Sequence, residues 1–460
     1  MTAALVPPVR GVAGLPDGVV IVAHGIGGRG DLPVPFSLAL VGASLALVVS
    51  FVVLAWSWRT AHFEDPDGGW LLPDAVTRLV DAEWFRLALR VIGLVLTAYV
   101  LVAALFGPDL LVNPTFGVVY VLFWVGLVPA SLLFGPVWRQ LNPLRTLHLL
   151  LARVLRTRPE DGLLPLPSRL GHWPAAVGLF AFVWLELVAP ERTTLAVVRM
   201  WFAIYVVATM MAALVYGSRW FDRGDAFEVY SGLFGRLSPL ARRASDGRLV
   251  VRNPLANLAT VRAGPGLVAV IAVLLGSTAF DGFSRSTTWI RFAQSSPVPE
   301  ILAATTALTC FVLVTAGTFW LATVAAGGLA GVRSSDQRLP GTFATSVVPI
   351  ALGYFVAHYY TLFVLEGQRT LFLLSDPLSN GANLLGLSGH GVDSALADNP
   401  RSVALVKVGA VVIGHILGVV AAHDRAVAVF ARRTALLGQL PLLVVMVGYT
   451  LGGLSLLFAT

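Results

Sequence analysis

Apolar runs of 18 or more residues recur along the whole chain, and they constrain its fold more than any other feature. Each run is long enough to cross a ~30 Å hydrocarbon core as an α-helix. With 57% hydrophobic and 12% charged residues, and a mean hydropathy of +0.80, the composition lies outside the soluble globular range. The alternating segments of about ten residues that mark a β-barrel do not occur. The sequence therefore predicts an all-α, polytopic transmembrane helical bundle.

Ten spans are predicted from these runs. They cover residues 36–58, 85–106, 115–137, 172–190, 193–217, 264–283, 300–330, 342–366, 402–424 and 436–458. We therefore expect one integral membrane domain, 36–460, preceded by an extracytoplasmic N-terminal segment, 1–35. The segment begins as a poor signal peptide, because Pro16 and Asp17 interrupt its apolar stretch. A degenerate signal, a misassigned start and direct translocation of the segment are three open interpretations.

The arginines predict the orientation, because short cytoplasmic loops carry an excess of basic residues. Residues 138–171 hold six arginines and residues 218–263 hold eight. We call these the arginine-rich loops. The loops that alternate with them are poor in positive charge and are called the arginine-poor loops: 107–114, 191–192, 284–299 and 367–401. This pattern predicts a cell-membrane protein with its arginine-rich loops in the cytoplasm and both termini outside (N-out/C-out).

The loops restrict the classes of partner and suggest interfacial elements. Nucleic-acid binding would need a basic soluble domain bearing aromatic residues, and the chain has none. The lipid bilayer is the expected partner, together with a partner subunit if the chain belongs to a membrane complex. Two loop segments, 73–90 and 225–243, have apolar residues at helical spacing and predict helices along the cytoplasmic interface. The single cysteine, Cys310, excludes disulfides and thiolate metal sites within the chain.

Four ionisable residues inside predicted spans mark the candidate site. His358 and Glu366 lie in span 342–366, and Lys407 and His415 lie in span 402–424. Such residues are costly in lipid, so they usually face the protein interior or a water-filled cavity and serve function. Lys407 is also the only lysine in the chain.

Their depths can be estimated from the predicted topology. His358, Lys407, Glu186 and Arg199 all fall in the outer half of the membrane, and His415 lies slightly deeper. Arg199 is the expected partner of Glu186. Glu366 lies about 12 Å beyond His358 along the helix axis, near the outer headgroups.

These residues are compatible with several kinds of chemistry. His358 and His415 could bind a divalent metal such as Zn²⁺ or Cu²⁺ if they met across a helix interface. Without a metal, Lys407 could pair with Glu366, or the histidines could relay protons. Ordinary structural roles also remain open: an interhelical hydrogen bond for His358, snorkelling for Lys407 and an interfacial position for Glu366. His423 and Asp424, at the inner end of a span, favour a solvated or capping role over catalysis.

The segments that carry a resemblance to a known family are spread over nearly the whole chain. They are AHGIGGRGDLPVP (23–35), GLVPASLLFGPVWRQLNPLRTLH (126–148), AHYYTLFVLEGQ (357–368), GHILGVVAAHDRA (414–426) and QLPLLVVMVGYT (439–450). In these segments the chain resembles actinobacterial polytopic membrane proteins labelled fenitrothion hydrolase. The resemblance implies hydrolysis of an organophosphorus triester. In that family pattern a histidine follows a signal-like segment, which makes His24 a candidate copper ligand, although residues 1–23 depart from the pattern.

We therefore expect a membrane-embedded, hydrolase-like protein, and whether it is an enzyme stays open. His358 and His415 would be metal ligands or general bases, Glu366 a ligand or orienting carboxylate, and Lys407 a partner for an anionic group. No nucleophile elbow, HExxH helix or Walker motif occurs. A transporter that uses the same residues for substrate or protons is the first alternative. A non-catalytic subunit of a membrane complex is the second.

Overall fold

Helices make up most of the chain in the computed structural model, which describes residues 26–332, 339–387 and 389–459. A helix satisfies its backbone polar groups within one segment, as a lipid environment requires. In chain order the helices are α1 (Phe36–Ser57), α2 (Asp74–Asp81), α3 (Glu83–Phe106), α4 (Pro114–Gly117), α5 (Leu127–Phe134), α6 (Trp138–Leu141), α7 (Pro143–Val154), α8 (Trp173–Leu187), α9 (Leu195–Tyr216), α10 (Arg219–Arg223), α11 (Ala226–Gly235), α12 (Pro254–Ala259), α13 (Leu267–Ser284), α14 (Thr287–Ser295), α15 (Glu300–Ala330), α16 (Leu339–Ala344), α17 (Val348–Leu373), α18 (Pro400–Val429) and α19 (Ala435–Leu457).

Eight helical segments within the described residues are long and apolar enough to cross a membrane. They are α1, α3, α9, α13, α15, the run Leu339–Leu373 that contains α17, α18 and α19. A ninth candidate is α4 with α5, a pair bent by 40°, and α8 is a shorter apolar helix of 15 residues. Every predicted span thus coincides with a helix, and the multi-pass helical architecture is confirmed. The number of true crossings and the N-out/C-out orientation stay predictions.

The bend in the third predicted span has a local cause. Residues Val118–Phe123 are wound as a π-helix, which places one extra residue in the turn. Gly126 follows at the bend, where a Cβ would lie 2.2 Å from the carbonyl oxygen of Leu122. This irregular winding positions Tyr120, which reappears in the candidate site.

Contacts between loops divide the bundle into two ends. At one end the Tyr120 hydroxyl donates to the Arg192 carbonyl oxygen (2.9 Å), and the Leu195 amide donates to Asp109 (2.8 Å). These residues come from arginine-poor loops or from the helix turns beside them, so we call this the arginine-poor end. At the other end the Arg242 guanidinium lies 2.8 Å from Asp81. The two arginine-rich loops meet there through Arg139 and Asp222 (2.9 Å), and we call it the arginine-rich end.

A small antiparallel sheet at the arginine-rich end is a feature that the sequence did not predict. Its strands are β1 (Trp70–Leu71), β2 (Leu240–Arg242) and β3 (Leu249–Val251), in the order β1-β3-β2. Strands of two or three residues are too short for an alternating pattern to be recognised. The sheet connects the loop after α1 to the loop after α11.

The prediction of an interfacial helix within 225–243 is wrong in its placement. The helix exists as α11 and ends before Pro239, but its side chains are buried among α5, α8 and α17. Tyr230, fully buried, stacks on Trp124 with ring centroids 4.6 Å apart. An ion pair between Arg145 and Glu228 (2.6 Å) compensates the one charged side chain that α11 buries.

The most extensive contact between two described helices joins α17 to α18, and it is close at two glycines. A Cβ on Gly353 would lie 2.3 Å from the Ala410 carbonyl oxygen, and one on Gly414 would lie 2.6 Å from that of Pro349. Small residues at a crossing let membrane helices approach closely. α13 packs against α8, α15 and α17. This arrangement places α8, α13 and α17 side by side, and the candidate site lies between them.

Candidate functional site

A cavity of about 520 Å³ at the arginine-poor end carries the strongest concentration of polar chemistry next to the spans. Its size is typical of sites for small organic ligands. Its walls combine opposite charges, hydroxyl groups and a few apolar side chains: Tyr120, Val121, Glu186, Leu187, Arg192, Thr193, Asp281, Ser284, Arg285, Tyr359 and Leu362.

Asp281 is the most heavily hydrogen-bonded of these residues. Its Oδ1 accepts from Nε (3.1 Å) and Nη2 (2.8 Å) of Arg285. Its Oδ2 lies 2.6 Å from His358 Nε2 and accepts a longer bond from the Tyr359 hydroxyl (3.5 Å). A carboxylate that is 2% exposed requires such partners. Asp281 therefore fixes the positions of Arg285 and His358 and has little capacity left for a ligand.

The local sequence explains how Arg285 reaches this position. Asp281 lies in the last turn of α13, and Arg285 follows four residues later, at the end of the same helix face. Ser286 accepts from the Trp289 amide and begins α14, which ends α13 at this point. The guanidinium is therefore held at the mouth of the cavity by its own helix.

Glu186 is the carboxylate with free hydrogen-bonding capacity. It lies in the last turn of α8, and its Oε2 is buried without a hydrogen-bond partner among the described residues. A buried acceptor left unpaired costs about 1–3 kcal/mol, and a water molecule or a ligand in the cavity would supply the missing partner. Glu186 is thus the group in this cavity that is able to bind or transfer a proton.

Arg192 supplies a second cation to the cavity. Its backbone carbonyl accepts from Tyr120, and within the described residues its side chain forms no ion pair with a carboxylate. The cavity therefore holds one paired arginine, one unpaired arginine and one unpaired carboxylate. With Glu186 ionised, these charges cancel.

Two of the residues predicted from the sequence belong to this site. His358 contacts it through Asp281, and Glu186 lines it. Arg199, the predicted partner of Glu186, is exposed and donates to the Leu195 carbonyl oxygen of its own helix (3.0 Å). Glu366 pairs with Arg369 at 3.4 Å, not with Lys407.

Lys407 instead binds the N-terminal segment. Its Nζ donates to the carbonyl oxygen of Ile26 (2.6 Å) and, more weakly, to that of Gly27 (3.4 Å). Gly27 has φ +74°, and a Cβ there would lie 2.8 Å from the Ala404 nitrogen, so this backbone fits closely against α18 only as glycine. The segment IGGRGD (26–31) therefore packs directly on α18, and this packing explains the glycine at position 27.

His415 lies away from the cavity residues and is 1% exposed. Its Nδ1 lies 2.8 Å from the Val411 carbonyl oxygen, so Nδ1 carries the proton, and Nε2 is buried without a partner among the described residues. No three His, Cys, Asp or Glu side chains of the described ranges are grouped to hold a metal ion. The metal site predicted from His358 and His415 therefore lacks a fitting donor set there, and His24 falls outside the described residues.

His423 and Asp424 connect α18 to the end of α1. Asp424 accepts from the Trp58 indole (3.1 Å) and from the backbone amides of His62 (2.6 Å) and Phe63 (3.3 Å). His423 Nε2 lies 2.9 Å from the Trp58 carbonyl oxygen. Both residues are buried, 1% and 3% exposed, so the solvated role is wrong; they join α18 to the end of α1 and the residues after it.

A second buried polar cluster lies at the arginine-rich end. Asp225 caps α11 by accepting from the Glu228 amide (2.8 Å), and Asn142 donates to both carboxylates at 3.3 Å. Burial, and then the negative charge of Glu228, raise the pKa of Asp225 to about 6. Arg145 crosses this cluster and contacts Glu228 and Asp222. The cluster holds α7, α10 and α11 together and is not joined to the cavity by any described hydrogen bond.

Four cavity residues were missed from the sequence: Asp281, Arg285, Arg192 and Tyr120. Asp281 carried a usable signal, because it is an acidic residue within predicted span 264–283. The other three lie at loop edges or in a π-helical turn, and nothing in the sequence marks them.

Comparison with protein-family models, curated proteins and solved structures finds no match to this chain. The functional argument therefore rests on the cavity and on the resemblance of the sequence segments.

Proposed function

We propose that this multi-pass membrane protein is a hydrolase that acts on a neutral organophosphorus ester in the cavity at the arginine-poor end. One observation carries the proposal: the unpaired carboxylate of Glu186 shares a cavity with two guanidinium groups, one of them held in place by Asp281. A base and positioned cations are the two components that hydrolysis of a phosphoryl centre needs.

In this mechanism Glu186 removes a proton from a water molecule. The water oxygen forms a bond to phosphorus, and the bond from phosphorus to the leaving-group oxygen breaks. Arg285 and Arg192 stabilise the negative charge that develops on the phosphoryl oxygen. The leaving group departs as an anion, and Glu186 returns its proton to solvent through the open cavity.

Asp281 and His358 have positioning roles in this proposal. Asp281 holds the Arg285 guanidinium, and His358 occupies the other carboxylate oxygen. No step is derived through Zn²⁺ or Cu²⁺, because the described donor set does not fit the metal site predicted from the sequence. Lys407, His415 and Glu366 lie outside the cavity lining and take no part in the chemistry.

The balance of charge supports a neutral substrate. With Glu186 ionised, the cavity charges cancel, so a substrate with a full charge would leave one charge uncompensated. A neutral triester also partitions into lipid. It would therefore be concentrated beside a cavity at the membrane boundary.

The test is release of 4-nitrophenolate from a neutral aryl phosphotriester by the purified protein in detergent. Glu186→Gln removes the base and is expected to lower kcat by about 10²–10⁴-fold. Glu300→Gln, an exposed carboxylate at the start of α15, is the matched control and should retain wild-type activity. Equal rates for Glu186→Gln and the wild type would refute the proposed mechanism.

Two further arms address the other interpretations. A transporter predicts substrate accumulation in sealed vesicles without release of product. A metal site in His358 and His415 predicts loss of hydrolysis after chelation and in His415→Ala. Because His415 does not line the cavity, the proposal expects His415→Ala to keep its kcat.

A further inference from the structure

The short helix α2, at the arginine-rich end, is joined to the small sheet by polar groups on one of its sides. The side chains of Asp74 and Asp81 on that side stay partly exposed, at 66% and 39%. Asp74 pairs with Arg248, Asp81 pairs with Arg242, and the Thr77 hydroxyl accepts from the Leu249 amide (3.2 Å). These three positions of α2 lie on one side of the helix, since they are spaced by three and four residues. That side rests on the small sheet.

The apolar side chains of α2 lie on the opposite side. At 100° per residue, Val76 and Leu79 are roughly opposite the face that contacts the sheet. They are 37% and 44% exposed, and no residue of α2 is buried. A helix packed on a water-soluble surface buries such residues and exposes its charges. Here the apolar face is exposed too, and it is covered either by water or by an apolar phase outside the described chain.

The neighbouring sequence identifies that phase. α3 begins two residues after α2, and its residues Trp84, Leu87 and Val91 form an exposed apolar stripe at helical spacing. α3 is one of the eight candidate membrane spans, so this stripe faces lipid. α2 packs against α3, so its apolar residues lie close to the start of a candidate membrane span. Trp84, at that start, is 63% exposed, and tryptophan is enriched at membrane–water interfaces.

We propose that α2 is an interfacial anchor that lies in the headgroup region of the bilayer, with Val76 and Leu79 directed into lipid. The ion pairs of Asp74 and Asp81 then hold the three-stranded sheet on the water side of the helix. Arg78, exposed on α2, lies between the apolar side and the side that contacts the sheet, nearer the latter, where anionic headgroups would attract its guanidinium. The helix thereby fixes the height of the sheet relative to the membrane surface.

The experiment measures lipid contact at single positions of α2. Cys310→Ser removes the native thiol, and Leu79→Cys or Asp161→Cys is then labelled with the environment-sensitive fluorophore NBD in nanodiscs. Asp161 lies in the exposed loop after α7 and serves as the water-exposed control. We expect NBD at position 79 to show blue-shifted emission and quenching by lipids that carry a shallow spin label. NBD at position 161 should respond to aqueous iodide instead.

Each other outcome would overturn the proposal. Iodide quenching at position 79 equal to that at 161 would place α2 in water. Protection from both quenchers would indicate a protein partner on this face. A second readout places NBD at position 75 through Ala75→Cys. In the Val76→Ser/Leu79→Ser variant, quenching of this NBD by shallow spin-labelled lipid should fall. Unchanged lipid quenching at that position would show that the two apolar side chains do not anchor the helix.

Discussion

The crossing of α17 and α18 allows a sharp test of the packing that supports the site. In Gly353→Ala the new methyl group would lie 2.3 Å from the Ala410 carbonyl oxygen and 3.0 Å from Gly414 Cα. Ordinary contact begins near 3.4 Å, so the two helices must separate by about 1 Å at this point. Both neighbours are backbone atoms, which cannot rotate away as a side chain does.

The expected cost follows from overpacking. Inserting a methyl group into a close-packed contact typically costs about 1–3 kcal/mol. Replacing glycine in a helix returns roughly 0.5–1 kcal/mol of backbone entropy. We therefore expect a net destabilisation of about 0–2.5 kcal/mol relative to the wild type, and of about 1–3 kcal/mol relative to a glycine-to-alanine change that makes no close contact. The readout is the Tm of the purified protein in one detergent, followed by tryptophan fluorescence.

Gly409→Ala is the matched control. Gly409 lies in α18, one residue before the contacted Ala410, and a Cβ there meets no atom within 4 Å. The control should have a Tm equal to or above that of the wild type. Equal Tm values for Gly353→Ala and Gly409→Ala would refute the inference that α17 and α18 are in backbone contact at Gly353 and leave no room for a Cβ there.

Three further predictions concern the other polar contacts. Arg145→Met leaves the Glu228 carboxylate buried without its guanidinium partner and should destabilise the protein by about 3–5 kcal/mol. The double variant Arg145→Met/Glu228→Met should recover part of that stability in the same Tm assay. If it recovers none, the loss does not come from the broken ion pair. The raised pKa of Asp225 favours its protonated form in the fold, so this contribution to stability is present below about pH 4 and is lost as the pH rises through about 6. The Tm of the wild type should therefore fall between pH 5 and pH 8 more than that of Asp225→Asn, and parallel profiles would exclude Asp225 as the source. Lys407→Met should release the N-terminal segment and accelerate trypsin cleavage after Arg29, measured by mass spectrometry against cleavage after the exposed Arg156. Lys407→Arg should stay close to the wild type, and an unchanged Arg29 rate in Lys407→Met would show that the lysine does not hold the segment.

The helical architecture could be predicted from the sequence because the secondary structure of a membrane span depends mainly on the span itself. A span must satisfy its backbone internally, so a long apolar run predicts a helix without knowledge of its neighbours. The same reasoning failed for α11. Its apolar pattern showed that it needed an apolar environment but not which one, and the bundle interior took the place of the membrane interface.

The candidate site was predicted only in part, for a related reason. Titratable residues inside spans pointed to His358 and Glu186, and both contact the site. The partner of His358 could not be predicted, because helix crossings decide which faces meet, and crossings depend on packing between segments far apart in sequence. Lys407 shows most clearly that position in a span does not identify the partner of a side chain. Its depth was sufficient to indicate a polar partner, but that partner proved to be the backbone of Ile26.

The contacts that join α1 to α18 and α19 have a consequence for how the protein is made. Lys407 holds the chain before α1, Phe36 packs on Phe458 with ring centroids 5.6 Å apart, and Asp424 binds the residues after α1. α1 is synthesised before α18 and α19, so it cannot complete this packing until both have been made. A ribosome stalled before α18 would leave α1 without these contacts, so this part of the fold is completed late in synthesis.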